Sequence, residues 1–410
     1  MNIFYLKTFG CKLNQYESQL IRESLIFNGW LEVENPEQAD YVLINSCCVT
    51  YRAVKELKKF IRSIKRKNSN IKIAVLGCLI ELYPQELQEF DCEILANNRE
   101  KFDLLGRLVK TKSSIEGFKN HTRAFVKVQD GCNNRCTYCC VWMARGLSRS
   151  RDKKQILDEI KVLLNAGHRE IVFTGCCLGD FGKDVNYSLP LLLEDIERID
   201  HDFRLRLSSI EPQDVNKELI DVIANSKKVV PYLHIPLQSG SNRILKSMAR
   251  KYDRDYFKKL VLGLKNINNF QFSTDIIIGF PGESERDFKD TLELLRKLKP
   301  IRVHMFPFSP RPKTVAYKLG NRVVDSTVVK RRTEAILVTR SLILENLKKQ
   351  IGNKFQVLIE QKSKGLWIGY SENYIKIKIK DSRVLKNKLL LVKAIDLDLE
   401  DSSLLAVSLH

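Results

Sequence analysis

The chain has 410 residues, enough for two or three domains, and its 44% hydrophobic and 29% charged side chains argue against a largely disordered protein. Lys and Arg total 69 against 49 Asp and Glu, and this net charge of +20 favours a polyanionic partner, nucleic acid above all, with plain solubility as the alternative. No apolar run approaches bilayer-spanning length, and Met1–Lys7 reads as a strand and not a signal peptide, so a cytoplasmic protein with no membrane partner is expected. Eleven cysteines, an odd number, in a reducing compartment suit metal ligation better than a disulfide framework.

Strand patterns at Asn2–Leu6, Tyr41–Asn45 and Ile71–Leu76 alternate with helical patterns, one from near Gln15 to Asn28-Gly29 and a basic one from Thr50 to Lys67. That alternation predicts a doubly wound parallel α/β sheet. Cys11, Cys47 and Cys78 each sit a few residues beyond the C-terminal end of a successive strand. Ligands of open α/β sheets bind at that edge, so the three thiols are expected to converge and hold a second metal cluster. Chance placement among eleven cysteines is the competing reading, since Cys48 and Cys92 match no such pattern.

A polar stretch, Thr111–Asn120, reads as a linker. Beyond it stand Cys132, Cys136 and Cys139, three thiols in eight residues, with Tyr138 just before the last. A loop of that spacing can aim all three sulfurs at one point. Three thiolates suit an iron–sulfur cluster with one free corner, whereas a closed structural zinc site takes four ligands. A zinc knuckle or simply buried thiols remain the alternatives. Six strands are expected, at Ala124–Gln129, Glu170–Thr174, Arg204–Ser209, Tyr232–Leu237, Phe272–Ile278 and Arg302–Phe306, most of them separated by helical segments. Six βα units are too few for a closed eight-stranded barrel but enough for a partial one, open at the side.

Val324–Gln350 reads as a long basic helix. After it come five short strand patterns, Phe355–Glu360, Leu366–Tyr370, Tyr374–Lys380, Leu389–Ile395 and Leu404–Leu409, which predict a small β-barrel. In Tyr374–Lys380 lysines alternate with apolar residues, either for RNA contact or as a guarded edge strand.

Taken together, these residues resemble the methylthiotransferases of the radical S-adenosylmethionine (SAM) superfamily along almost the whole chain. The landmarks are Thr8-Phe9-Gly10-Cys11-Lys12-Leu13-Asn14-Gln15-Tyr16-Glu17-Ser18, Asn45-Ser46-Cys47, Gly77-Cys78, the Cys132–Cys139 loop, Ala144-Arg145-Gly146, Leu207–Pro212, His234–Ser241, Asp275–Glu283 and Phe306–Pro312. The resemblance implies a methylthiotransferase α/β domain over residues 1–110, a radical SAM (βα)6 partial barrel over 118–350 and a TRAM RNA-binding barrel over 351–410. It implies two 4Fe–4S clusters, one on Cys132, Cys136 and Cys139 and an auxiliary one on Cys11, Cys47 and Cys78. SAM would lie against Tyr138, Thr174, Gly175, Ser209 and Glu211.

The Cys-Lys-Leu-Asn-Gln-Tyr-Glu-Ser run is similar to the subgroup acting on N6-threonylcarbamoyladenosine (t6A) in tRNA. Relatives acting on isopentenyladenosine tend to have Gln-Met-Asn after the Cys, and those acting on a ribosomal protein Pro-Lys-Asn. The implied reaction replaces hydrogen by a methylthio group at carbon 2 of t6A beside the anticodon, through a SAM-derived 5′-deoxyadenosyl radical. A flavodoxin or ferredoxin type of electron donor and a sulfur donor are implied partners. Arg145, Arg149 and Arg151 would meet anticodon-loop phosphates, and Lys376 and Lys378 the body of the tRNA. The chain departs from the family at Cys140-Val141-Trp142-Met143, Cys176-Cys177 and Lys313, the first two beside the expected SAM site. The same chemistry on isopentenyladenosine or a ribosomal protein is one competing function, and those departures keep a non-catalytic iron–sulfur RNA-binding protein as another.

Overall fold

The structure, a computed structural model, describes residues 2–103, 109–118 and 121–409. Of the stretch read as a linker, Lys119 and Asn120 lie outside the described residues.

The N-terminal sheet has five parallel strands, with Ile3–Thr8, Tyr41–Ser46 and Lys72–Gly77 adjacent in its middle. Successive side chains along a strand face opposite ways. Accordingly Val42 and Ile44 join one core with the helix Tyr51–Lys67, while Leu43 joins another with the helix Lys12–Phe27. The basic helix begins where Thr50 accepts a hydrogen bond from the Ala53 amide (3.2 Å), and it buries Val54, Leu57, Ile61 and Ile64 at helical spacing. Two short edge strands, Leu31–Glu32 and Ile94–Ala96, escape the sequence pattern because two or three residues carry no periodicity.

The six middle strands are all present and parallel, in two three-stranded sheets. Arg123–Lys127, Glu170–Thr174 and Arg204–Leu207 form one; Tyr232–His234, Gln271–Ile278 and Arg302–Pro307 form the other. Isolated parallel bridges Leu205–Val229 and Ser209–His234 join the two into a single curved wall. The helix Lys12–Phe27 packs on the first of these strands, with Tyr16 and Leu20 in the core of the wall.

The last five strands close into a barrel. One expected strand is shorter than its pattern: Lys376–Ile379 replaces Tyr374–Lys380, because Tyr374 takes φ +69° in a turn. Its ring lies under the curved wall, 4.5 Å from the Arg206 guanidinium and 5.1 Å from that of Arg123, with its hydroxyl accepting from Arg123 at 2.8 Å. Arg204 reaches the carbonyls of Gln356 and Tyr370 at 2.9 and 2.8 Å, so the small barrel stoppers the N-terminal end of the wall. No helix among the described residues is long and apolar enough to cross a membrane.

Candidate functional site

Parallel pairing of three adjacent strands, with Thr8 opposite Asn45 and Ser46 opposite Gly77, brings their C-terminal ends to one edge. Cys11 caps the helix Lys12–Phe27 and is exposed; Cys47 and Cys78 are buried. Their neighbours lock the three loops together. Asn14 donates to the carbonyls of Phe9 (2.8 Å) and Ser46 (3.0 Å), Asn45 donates to the Asn14 carbonyl (3.0 Å), and Ser46 Oγ donates to the Leu76 carbonyl (2.6 Å). Gly10, at φ +108°, is forced: a Cβ there would stand 2.8 Å from the Cβ of Cys47. Asn98 donates to the Cys78 sulfur at 3.3 Å. Burial pushes the Cys47 thiol up to about 12, and Cys78 and Cys11 push it in the same direction.

The loop Cys132–Cys139 is held from several sides. Gln129, fully buried, donates to the Gly131 carbonyl (2.8 Å) and Ser148 (2.7 Å), and its Oε1 accepts the Cys177 amide (2.9 Å). Thr137 is tied through its amide to Met248 (3.1 Å) and through its carbonyl to the Ala316 amide (2.8 Å). Burial raises the Cys136 and Cys139 thiols, and the other thiols of the loop add to the rise. Arg250 donates to the Cys136 sulfur at 3.2 Å and to the Tyr138 hydroxyl at 3.3 Å, and it is ion-paired with Glu211. Tyr138 and Glu211 therefore share one cation. The sequence reading missed Arg250, which sits in a basic run, Arg250-Lys251, that looks like ordinary surface.

Thr174 is buried at the end of its strand, and a Cβ on the next residue, Gly175, would stand 2.7 Å from Gln129 Oε1. Ser209 is exposed beside its bridge to His234. Burial raises the Glu211 carboxyl, against the pull of Arg250. The unusual cysteines fall between the two triads. Cys177 accepts from Asn134 at 3.5 Å and its thiol meets that of Cys132, while Cys176 lies within electrostatic reach of Cys11 and Cys78. Cys48 and Cys140, each next to a triad cysteine, have sulfurs 3.6 Å apart. These four thiols thus link the neighbourhoods of the two triads.

A buried charge cluster joins the N-terminal sheet to the curved wall. Arg145 is 5% exposed, ion-paired with Glu17 (3.0 Å) and Asp130 (3.1 Å), and it donates to Asn14 Oδ1 at 2.6 Å. Lys101 and Lys127 pair with the same Glu17 at 2.6 and 3.3 Å. Burial would raise Glu17, but Arg145 and Lys101 outweigh it and hold the carboxyl well below its usual range. The expectation that Arg145 meets RNA phosphates is therefore corrected: its guanidinium is spent inside the protein. Arg151 is mostly covered too, paired with Glu159 and 3.0 Å from the Tyr16 hydroxyl. Arg149 is exposed. Lys376 pairs with Asp401 (2.5 Å), and Lys378 with Asp398 (2.6 Å) and Asp401 (3.0 Å), so the alternating lysines of the small barrel are largely neutralised in place.

The model of the radical SAM superfamily matches residues 126–295, and that of the uncharacterized protein family UPF0004 matches residues 3–96. The chain is 38% identical to the threonylcarbamoyladenosine tRNA methylthiotransferase MtaB of Thermotoga maritima, over 94% of this chain and 93% of that one. It is 32% identical to the protein of the same name from Bacillus subtilis, over 94% and 92%. The chain belongs to the radical SAM methylthiotransferase family. A tRNA-2-methylthio-N(6)-dimethylallyladenosine synthase of Carboxydothermus hydrogenoformans is also similar, at 35% identity over 88% of each chain. Among solved structures, the radical SAM methyltransferase TsrM of Kitasatospora setae has the same fold, at TM-score 0.60 and 13% identity over 77% of this chain and 75% of that one.

Methylthiotransferases of this family use SAM and 4Fe–4S clusters, and the donor chemistry of this chain fits them. Each triad supplies three soft sulfur donors, too few to close a zinc site. Burial raises the thiols of Cys11, Cys47, Cys136 and Cys139, a penalty on ionisation that a bound cation relieves, whereas hydrogen bonds with Cys48 and Cys177 lower those of Cys78, to about 6, and Cys132. Donors already point at the sulfurs: Arg250 at Cys136, Asn98 at Cys78, and the Val141 amide at Cys139 (3.4 Å). Such hydrogen bonds stabilise ligated thiolates and tune cluster potential.

Proposed function

We propose that the chain is a tRNA-modifying enzyme that places a methylthio group on carbon 2 of t6A beside the anticodon. What supports this reading is the pair of three-thiol sets joined through the contact of Cys48 with Cys140, in a chain similar over nearly its full length to proteins named for that reaction. When bound, the first cluster and SAM would supply the 5′-deoxyadenosyl radical, and the auxiliary cluster would hold the donor-derived sulfur that a second SAM methylates; breaking an unactivated aromatic C–H bond is beyond side-chain acid–base chemistry.

On this reading Cys132, Cys136 and Cys139 ligate the first cluster and Cys11, Cys47 and Cys78 the second. Tyr138, Thr174, Gly175, Ser209 and Glu211 border SAM, with Arg250 fixing Tyr138 and Glu211. The chain divides functionally at 1–110, 118–350 and 351–410. The last part is a TRAM-type RNA-binding barrel, assisted by exposed Arg149 and by Lys55 and Lys59 on the basic helix. Electrons come from a flavodoxin- or ferredoxin-like donor, and the transferred sulfur from a separate sulfur donor.

Mass spectrometry of nucleosides from tRNA of cells with and without the gene tests this. Loss of methylthio-t6A with accumulation of t6A is the expected result. Loss of methylthio-isopentenyladenosine instead would move the substrate to that of the dimethylallyl-named relatives. No change in any methylthio nucleoside would overturn the tRNA reading.

A further inference from the structure

Lys12 follows Cys11 directly and opens the helix that packs against the first strand of the curved wall. Its ammonium lies within electrostatic reach of Arg123, Glu170, Arg206 and Tyr374 on one side and of His304 on the other. Arg123, Glu170, Arg206 and His304 come from the first, second, third and sixth strands, so they can surround one lysine only inside the curve. Lys12 is half-buried and has no hydrogen-bond or ion-pair partner among the described residues.

The nearby carboxylates are already engaged. Glu170 pairs with Arg204 and with Arg206 (2.9 Å), and Asp275 with His234 (3.1 Å). A half-buried ammonium whose nearby carboxylate, Glu170, is already shared by two arginines is costly unless a ligand supplies another, and a site built around such a group rejects ligands that lack the partner. The two adenosines named among the relatives differ in just this respect. The threonylcarbamoyl substituent ends in a carboxylate, whereas the dimethylallyl substituent is a hydrocarbon. Three more cations, Arg123, Arg206 and Arg302, surround the Tyr374 ring and make the interior favour an anion over a divalent metal ion, although His234, Asp275 and His304 lie close enough together to hold one.

We propose that Lys12 is the specificity-determining residue that receives the carboxylate of the threonylcarbamoyl group, setting this enzyme apart from relatives that take a neutral N6 substituent. The assignment rests on the t6A reading above. It makes Lys12 a substrate-binding group and gives it no part in cluster ligation.

The test uses the full-length, cluster-loaded protein and three anticodon stem-loop RNAs carrying t6A, its neutral methyl ester or isopentenyladenosine. For the wild type, the ester should lower kcat/KM tenfold or more, mainly through KM. In Lys12→Met, acid and ester should fall within about threefold of each other, through loss of activity on the acid. Lys12→Arg should restore most of the preference. Each acid-to-ester ratio is internal to one protein sample, so a misfolded fraction cancels from it. If wild type prefers the acid and Lys12→Met does so equally, the Lys12 assignment is overturned while the substrate reading stands. If wild type is inactive on t6A RNA but active on isopentenyladenosine RNA, the substrate reading falls and takes the assignment with it.

Discussion

The two thiol triads reach similar donor sets by opposite routes. Cys132, Cys136 and Cys139 are gathered by one loop, and what holds them is local: Gly131 at φ +74°, the Gln129 clamp and the ties of Thr137. Cys11, Cys47 and Cys78 are scattered over 68 positions and are gathered by the register of a sheet, with Asn14, Asn45 and Ser46 fastening one loop to the next. The first arrangement should tolerate damage to the sheet, and the second damage to the loop. Each centre is therefore separable by mutation, although Cys48 and Cys140 join their surroundings.

The sharpest break is a pair of single substitutions. Cys136→Ala should lower iron from about eight to about four atoms per chain and abolish 5′-deoxyadenosine formation. Cys47→Ala should lose a similar amount of iron yet keep SAM cleavage, while methylthio product disappears. Iron analysis and product chromatography on both variants check this, and loss of SAM cleavage in Cys47→Ala would mean that the centres are not separable.

Arg145→Met tests what joins the two walls. Removing one partner of a buried charge cluster leaves carboxylates uncompensated, and about 3–5 kcal/mol of stability should go, read as a lower denaturant midpoint. The same cluster carries a pH signature. Burial works to raise Asp130, but Lys127 and Arg145 win and hold it at about 2. A depressed carboxylate contributes its full stability above the unfolded value and loses it as pH falls through the folded one. The cluster's contribution in the metal-free protein should hold through pH 4 and vanish only towards pH 2, as followed by tryptophan fluorescence.

Gly131→Ala addresses the loop alone. Its Cβ would stand 1.9 Å from the Leu147 carbonyl oxygen in a left-handed backbone, so a loss of at least about 1–2 kcal/mol is expected. Iron should fall at the loop centre first, leaving the auxiliary half. The smallest effect belongs to Lys376→Ala with Lys378→Ala. Both lysines are already paired with acids, so the salt dependence of tRNA binding should change by less than one unit of slope for each.

Much of this architecture was legible because it is periodic or local. The strands Tyr41–Ser46 and Glu170–Thr174 are apolar runs, and the spacing of Cys132, Cys136 and Cys139 is chemistry written in one line. The convergence of Cys11, Cys47 and Cys78 was readable because a parallel sheet sends all its C-terminal ends to one edge. What stayed hidden was pairing across long distances. Nothing beside Arg145 reveals that Glu17, 128 positions earlier, will neutralise it, and Lys376 looks like a free cation until the turn at Asp401 folds back. Arg250 was invisible for the same reason, since its value lies in Cys136 and Glu211, both remote in sequence.

The cluster of Arg145, Glu17, Lys101, Lys127 and Asp130 also limits how this protein can behave as a machine. Its charges balance only while the N-terminal sheet and the curved wall stay docked, and parting them would strand ions from both sides in a half-dry seam. The jaws are effectively welded. On the proposed function, a base paired or stacked in an anticodon loop must then come to a cleft that does not open for it. The RNA has to do the yielding, unstacking its nucleotide and threading it in, so the loops accepted should be those whose base swings out most cheaply.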